Sequence, residues 1–365
     1  MINLYEYLRS VYEKLLNGEH GFEMAAFEFI KTTSYDALMD DENKCIELIS
    51  KNFEFDVPKE AFVYNKERAK HIIVTYLLGL GLKKSFGLEE PLDKGIRYNS
   101  IWLQSSMLHD YGYFIKQYKD ENLSIKALTS NYNLLTDDYT GLFESLNGLA
   151  KTSYSVYFPY EYDEIEKYFE YKKKYCYEKN DHGIVGGCVA FSKYCEAVTK
   201  IHDLGELHQG PSISINIQQK IACYTAAAHN IFKSSKKEDD SKYLDVHLDN
   251  LLSYSPKRIT IKNKLLMLLS LVDTIECTKR FSKRENPNEY LIQKTILENV
   301  MIELKDNSLI IDYSNLYKYI NKRKNNDKLK EAFEYQMNAV RTIYEWTDFK
   351  CDAYSDIESK FIISL

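Results

Sequence analysis

Glycine and proline are scarce in this chain, at 14 and 6 of 365 residues. So little punctuation disfavours many short strands joined by tight turns, and long helices are expected. No two cysteines are spaced C-x-x-C, and the seven present (45, 176, 188, 195, 223, 277, 351) are odd in number. That usage speaks against a disulfide framework and a thiolate zinc site, and suits a reducing cytoplasm. A long hydrophobic run is also missing: the most apolar stretch, LLMLLSLV at 265–272, is too short to span a bilayer. The opening residues, MINLYEYLRSVYEKLL, mix charges with apolar side chains at helical spacing, unlike a signal peptide. Nor is there an excess of positive charge. With a net charge of −6 and a pI near 5.9, no global field attracts nucleic acid, and duplex is not an expected partner. A cytoplasmic protein without a membrane partner is the expectation, and homo-oligomers are compatible with it.

Apolar residues make up 44% and charged residues 28%, enough for a sizeable core and a solvated surface. The 31 tyrosines accompany plentiful Lys, Asn and Ile, so codon bias explains them better than a base-stacking surface. Helical periodicity dominates. Residues 1–16, 22–32 and 42–52 read as amphipathic helices forming an N-terminal cap over 1–60. A helical core follows over 61–290, with Asn65 placed to cap KERAKHIIVTYLLGLGL and Asn99 or Ser100 to start a helix through NSIWLQSSMLHDYG. Within it, residues 115–180 form a polar, Tyr-rich insertion, and helical patterns resume at 182–200, 214–232 and 260–281. The appendage, 291–365, carries one β signal: VMIELKDNSLIIDY at 300–313 reads as a hairpin turning at Asp306-Asn307. Ser314 is placed to cap the next helix, and a last helix covers about 327–349. The fold class is therefore mostly α, a helical core between a helical cap and a small α+β appendage.

Four of the eight histidines, His71, His109, His182 and His229, fall on apolar helices, joined there by Asp110 and Asp273. A lone histidine on such a face is usually a satisfied core residue. Asp273 is harder to accommodate, because it follows eight consecutive residues that are apolar or Ser, with no Arg or Lys in the turn before it. A buried ionised carboxylate costs several kcal/mol unless it is paired or bound to metal. Imidazole and carboxylate together suit Zn, Fe, Mn or Ni rather than Ca. Two such ions about 3.5–4 Å apart clamp a phosphoryl group and activate water at neutral pH.

The order His71 … His109-Asp110 … Asp273 resembles the H…HD…D signature of the HD-domain metal phosphohydrolase superfamily, with local contexts RAKHIIVTYLLG, IWLQSSMLHDYGY and LLSLVDTIE. NDHGIVGGCVAF and YTAAAHNIF resemble the two further histidine motifs of members with binuclear sites. The resemblance spans about 65–285 and implies the HD-type helical core. It also implies that His71, His109, Asp110 and Asp273 hold one divalent transition metal, with Asp110 bridging to a second held by His182 and His229. Gly183, Gly186 and Gly187 would let backbones or substrate approach closely, simple helix packing being an equal alternative.

The match has departures. Tyr113 stands where a Lys often follows HD-x-G, no G-Y-P follows His229, and the Glu-Asp pair of alarmone hydrolases is absent. Candidate phosphate contacts are Lys279, Arg280 (seven residues after Asp273) and Lys193 (eleven after His182), all of residue types more often at the surface. Glu276, three residues after Asp273, either orients a ligand histidine or positions the water, unless it forms an ordinary surface salt bridge. A second dyad, His202-Asp203, lies in polar surroundings running into Gly210-Pro211, and would leave His71 and Asp110 unexplained. We therefore place the site at the first dyad, with His202 and His208 bordering it. The expected activity is hydrolysis of a nucleotide or short-oligonucleotide phosphate ester by metal-activated water, with Asp110 and Glu276 in the catalytic machinery. The alternatives are a single-strand-specific nuclease and a catalytically silent nucleotide-sensing scaffold.

Overall fold

Asn3 starts the first helix by accepting the Glu6 N–H on its side-chain oxygen at 2.8 Å. Helix α1 (Leu4–Leu16) then buries Leu4, Leu8, Val11, Tyr12 and Leu15, a stripe at helical spacing. The computed structural model describes residues 1–18, 24–52, 66–88, 97–113, 182–183, 186–187, 213–230, 261–282, 290–346, 351–354 and 359–364. The cap continues with α2 (Met24–Thr32), α3 (Tyr35–Asp40) and α4 (Glu42–Asn52). Helix α3 is one that periodicity did not indicate; Ser34 starts it by accepting from the Ala37 N–H at 3.2 Å.

Four helices build the core: α5 (Lys66–Leu82), α6 (Tyr98–Leu108), α7 (Ile213–Ala228) and α8 (Ile261–Ile275). Helix α5 packs on α6 and α8, α7 packs on α6 and α8, and α1 and α4 lie against α5. After its first turn α5 is buried almost all round, as a helix without a polar face must be. Trp102 and Tyr98 stitch α6 to α5 by donating to the carbonyls of Tyr76 (2.9 Å) and Gly79 (3.1 Å). The start of α6 corrects the expected cap at Asn99 or Ser100. The helix begins at Tyr98, with Arg97 before it and no side-chain cap, since a guanidinium cannot accept; Gln218 of α7 accepts the Arg97 N–H at 2.9 Å.

The chain continues through α9 (Thr278–Phe281), α10 (Gln293–Asn299), β2 (Met301–Lys305), β3 (Ser308–Asp312), α11 (Ser314–Asn321), α12 (Asp327–Trp346), β4 (Cys351–Tyr354) and β5 (Lys360–Ser364). With β1 (Ile2–Asn3) the strands form one antiparallel sheet in the order β1-β2-β3-β5-β4. The expected hairpin is present as β2 and β3. Asp306 and Asn307 at its tip have φ of 50° and 61°, the two positive values of a type I′ turn. Ile302, Leu309, Ile311, Phe361 and Ile363 form the buried face. Ser314 does not cap α11; it is the first helical residue, and Asp312 accepts its N–H at 2.7 Å. Cap and appendage share the sheet, since Ile2 pairs with Ile302 and the Leu4 N–H reaches the Val300 carbonyl at 2.7 Å.

Among the described residues no helix is long and apolar enough to cross a membrane. Asn65, Lys193, His202, His208 and the Tyr-rich insertion lie outside the described residues. Asn307→Ala should lower the stability read from urea unfolding by about 1 kcal/mol, because a Cβ is disfavoured at positive φ and the amide that tolerates it is gone. Asn307→Gly should cause no such loss.

Candidate metal centre

The core helices deliver their polar residues near their ends. His71 sits in the second turn of α5, His109 and Asp110 close α6, His229 directly follows α7, and Asp273 lies in the last turn of α8. His182 stands in a short helical stretch beside Gly183. All six are buried. They form two donor groups that could hold a metal ion: His71, His109, Asp110 and Asp273 in one, and Asp110, His182 and His229 in the other. Within each group the donor atoms lie within 4.8 Å of one another, and Asp110 belongs to both.

The last carbonyls of a helix lack partners within it, and here two of them set the rings. His109 Nδ1–H donates to the Ser106 carbonyl at 2.5 Å, and His229 Nδ1–H to the Ala226 carbonyl at 2.7 Å, each three residues back. His71 Nδ1–H donates to the Glu276 carboxylate. A carbonyl or carboxylate only accepts, so each of these Nδ1 atoms carries a proton and each Nε2 is turned inward. The Nε2 atoms of His71 and His109 stand 3.2 Å apart, and those of His182 and His229 3.3 Å. Two nitrogens about 2.0–2.1 Å from one tetrahedral ion would be about 3.3 Å apart. Asp110 Oδ1 is buried without a hydrogen-bond partner, 3.3 Å from His182 Nε2 and 3.8 Å from His109 Nε2. The residues present fit a metal.

Two basic residues balance the carboxylates. Arg68 pairs with Asp110 Oδ2 at 2.8 Å, and Lys279 with Asp273 Oδ1 at 2.6 Å. Burial pushes the Asp110 carboxyl up, but Arg68, Lys279 and His109 together hold it well below the carboxylate range. Asp273 is likewise held low against burial, by Lys279 and by hydrogen bonds from His109 and His71. Burial, then the His109 and His182 rings, push His229 down to about 3, so it stays neutral and able to ligate.

Arg68 was not among the expected residues. Its signal was available in RAKH, where an Arg three residues before His71 shares its helix face. Lys279, expected as a phosphate contact, stands at the centre as the partner of Asp273. Arg280 does not reach it. Helix α8 stops at Ile275, so the two-turn spacing from Asp273 breaks down, and Arg280 instead donates to Gln336 and lies over the Tyr335 ring at 4.9 Å. Glu276 is fully buried and both its oxygens are engaged, one by His71 and the other by the Thr278 N–H at 2.8 Å. Of the two places expected for it, it takes the one behind a ligand histidine, holding His71, and not the one beside the water. Tyr113 stacks on His182 at 4.0 Å and lies under the Arg68 guanidinium at 3.8 Å, so Arg68 supplies positive charge there. The glycines serve backbone approach. A Cβ on Gly112 would fall 2.1 Å from the His182 carbonyl oxygen, and one on Gly186 would fall 2.4 Å from that of Leu108.

No protein-family model, curated protein or solved structure matches the chain.

Glu276→Gln leaves one acceptor oxygen for two donors. It should weaken divalent-metal binding about 10–100-fold in a chelator competition, with helix content by circular dichroism unchanged. The metal-free protein should also lose stability in acid. The unfolded chain protonates its His229 near 6.5 whereas the folded one waits until about 3, so this contribution is lost as pH falls from 6.5. Asp110, Asp273 and Glu276, all lowered on folding, add losses of the same sign at lower pH. For His71, burial and Lys279 act downward but Glu276 and Asp273 outweigh them; its raised pKa gives stability that is lost as pH rises above 6.5. The melting midpoint should therefore peak near pH 6.5 and fall steadily towards pH 4, and His229→Asn should flatten the upper part of that fall.

Proposed function

We propose that the protein is an HD-type metal-dependent phosphohydrolase. It cleaves a phosphoester or phosphoanhydride bond of a nucleotide or short oligonucleotide with water. The observation that carries this reading is that Asp110 is shared by two buried donor groups in which imidazole Nε2 atoms converge. His71, His109 and Asp273 would hold one divalent ion and His182 and His229 a second, with Asp110 common to both. The mixed nitrogen and oxygen donors suit Mn, Fe, Ni or Zn. Bound there, such ions supply Lewis-acid polarisation of a phosphoryl oxygen and an activated water.

Charge selects the substrate class. Asp110 faces Arg68, Asp273 faces Lys279 and Glu276 faces the His71 ring, so the protein groups alone are nearly balanced. Divalent ions turn the balance positive, and an anionic group is what such a site attracts. Arg68 and Lys279 lie on opposite carboxylates, where their donors can meet phosphoryl oxygens once the ions take over neutralising Asp110 and Asp273. Glu276 keeps the His71 ring fixed.

EDTA treatment should abolish phosphate release from a panel of nucleotides and short oligonucleotides, and Mn, Fe, Ni or Zn should restore it. Asp110→Asn should lower turnover at least about 100-fold and reduce bound metal, since both donor groups lose their common carboxylate. Metal-loaded protein that binds nucleotides and turns none of them over would replace the enzyme with a sensor.

A further inference from the structure

A second set of incompletely satisfied groups lies on the neighbouring flank of the helical turn that carries Arg68 and His71. There a cleft of about 500 Å³ opens between the α3–α4 junction, the start of α5, and Ser282 with residues 290–294. Lys70 is only 5% exposed, and its ammonium donates to the Met39 carbonyl but pairs with no carboxylate among the described residues. An ammonium has three donors, and burying it without a counter-charge is costly. Gln293, 4% exposed, donates through Nε2 to the Glu67 carbonyl at 3.1 Å. A carbonyl only accepts, which fixes the amide orientation and leaves Oε1 of Gln293 buried and unpartnered. Ser282 Oγ is buried and unpartnered as well. The cleft is bordered by the carboxylates of Asp41, Glu42 and Glu67; Asp41 Oδ1 accepts from the Asn43 N–H and side-chain amide at 2.9 Å, and Asp40 accepts from Lys294 at 3.5 Å.

These groups demand both signs of charge. The Lys70 ammonium and the Ser282 hydroxyl call for an anionic acceptor, whereas Gln293 Oε1 and the acidic border call for a cationic N–H donor. A nucleotide polyphosphate would meet the border carboxylates unfavourably, and a bare divalent cation would meet Lys70. We propose that the cleft binds a small zwitterion of the α-amino-acid class, its carboxylate on Lys70 and Ser282 and its ammonium on Gln293 and the acidic border. The site is separate from the metal centre and does not depend on the hydrolase reading.

The test is binding of the twenty common amino acids to the full-length, metal-loaded protein, read by thermal shift and by calorimetry without any activity assay. At least one amino acid should raise the melting midpoint. Its N-acetyl and its methyl-ester derivatives, each lacking one charge, should bind at least about tenfold more weakly. Lys70→Met should weaken binding by a similar factor without lowering the melting midpoint of the free protein, because it removes a buried charge that has no counter-ion. Should that variant fail to fold, Glu42→Gln at the border should still weaken binding of the ester and of the free amino acid. Absence of binding by all twenty, or binding unchanged in both variants, overturns the proposal. So does a nucleotide or a divalent cation binding in their place with dependence on Lys70.

Discussion

Two carboxylates taken out of water set the terms for the rest of the core. Asp110 and Asp273 are both nearly inaccessible, and each would cost several kcal/mol if left alone. Each has a cation against it, Arg68 or Lys279, and histidine nitrogens at 2.9–3.8 Å. Removing one cation would strand a charge in the centre of the helical core. The histidines are themselves oriented by groups that helices leave over, the carbonyls of Ser106 and Ala226 at the ends of α6 and α7. Backbone geometry thereby orients the His109 and His229 rings.

The end of α8 shows how a distant part of the chain shapes the same centre. Tyr313 donates to the Ile275 carbonyl at 2.8 Å and Gln336 to that of Thr274 at 2.8 Å, so the last turn is satisfied by the appendage. The chain leaves the helix at Glu276, whose carboxylate then reaches back to His71. Resuming as α9, it turns Lys279 inward and Arg280 out towards α12. The appendage is a structural wall of the centre as well as a sheet attached to it.

Much of this was legible in the sequence because polar residues inside apolar helices are conspicuous. His71, His109, Asp110, His182, His229 and Asp273 all announced themselves that way, though their grouping came from the HD-type order of motifs. The hairpin was legible because two apolar runs flank Asp306-Asn307, a pair that accepts positive φ. Other features depend on tertiary contacts that no local pattern encodes. The break after Ile275 is held by Tyr313 and Gln336, so helical spacing misplaced Arg280, whereas Glu276 took one of the two places open to it, behind His71. A two-residue strand at Ile2–Asn3 is too short to show alternation, and α3 is too short to show a period. The residue before α6 is tied by Gln218, more than a hundred residues on, which takes the Arg97 N–H.

That two-residue strand has a consequence in time. Ile2 and Asn3 pair with Ile302 and Met301, partners synthesised almost 300 residues later. At about 5–20 residues per second, the opening residues leave the ribosome roughly 15–60 s before their pairing partner exists. Through that interval α1 has its apolar stripe but not the strand that sets its start. Until the hairpin arrives to close the sheet, α1 has α2, α3 and α5 to pack against.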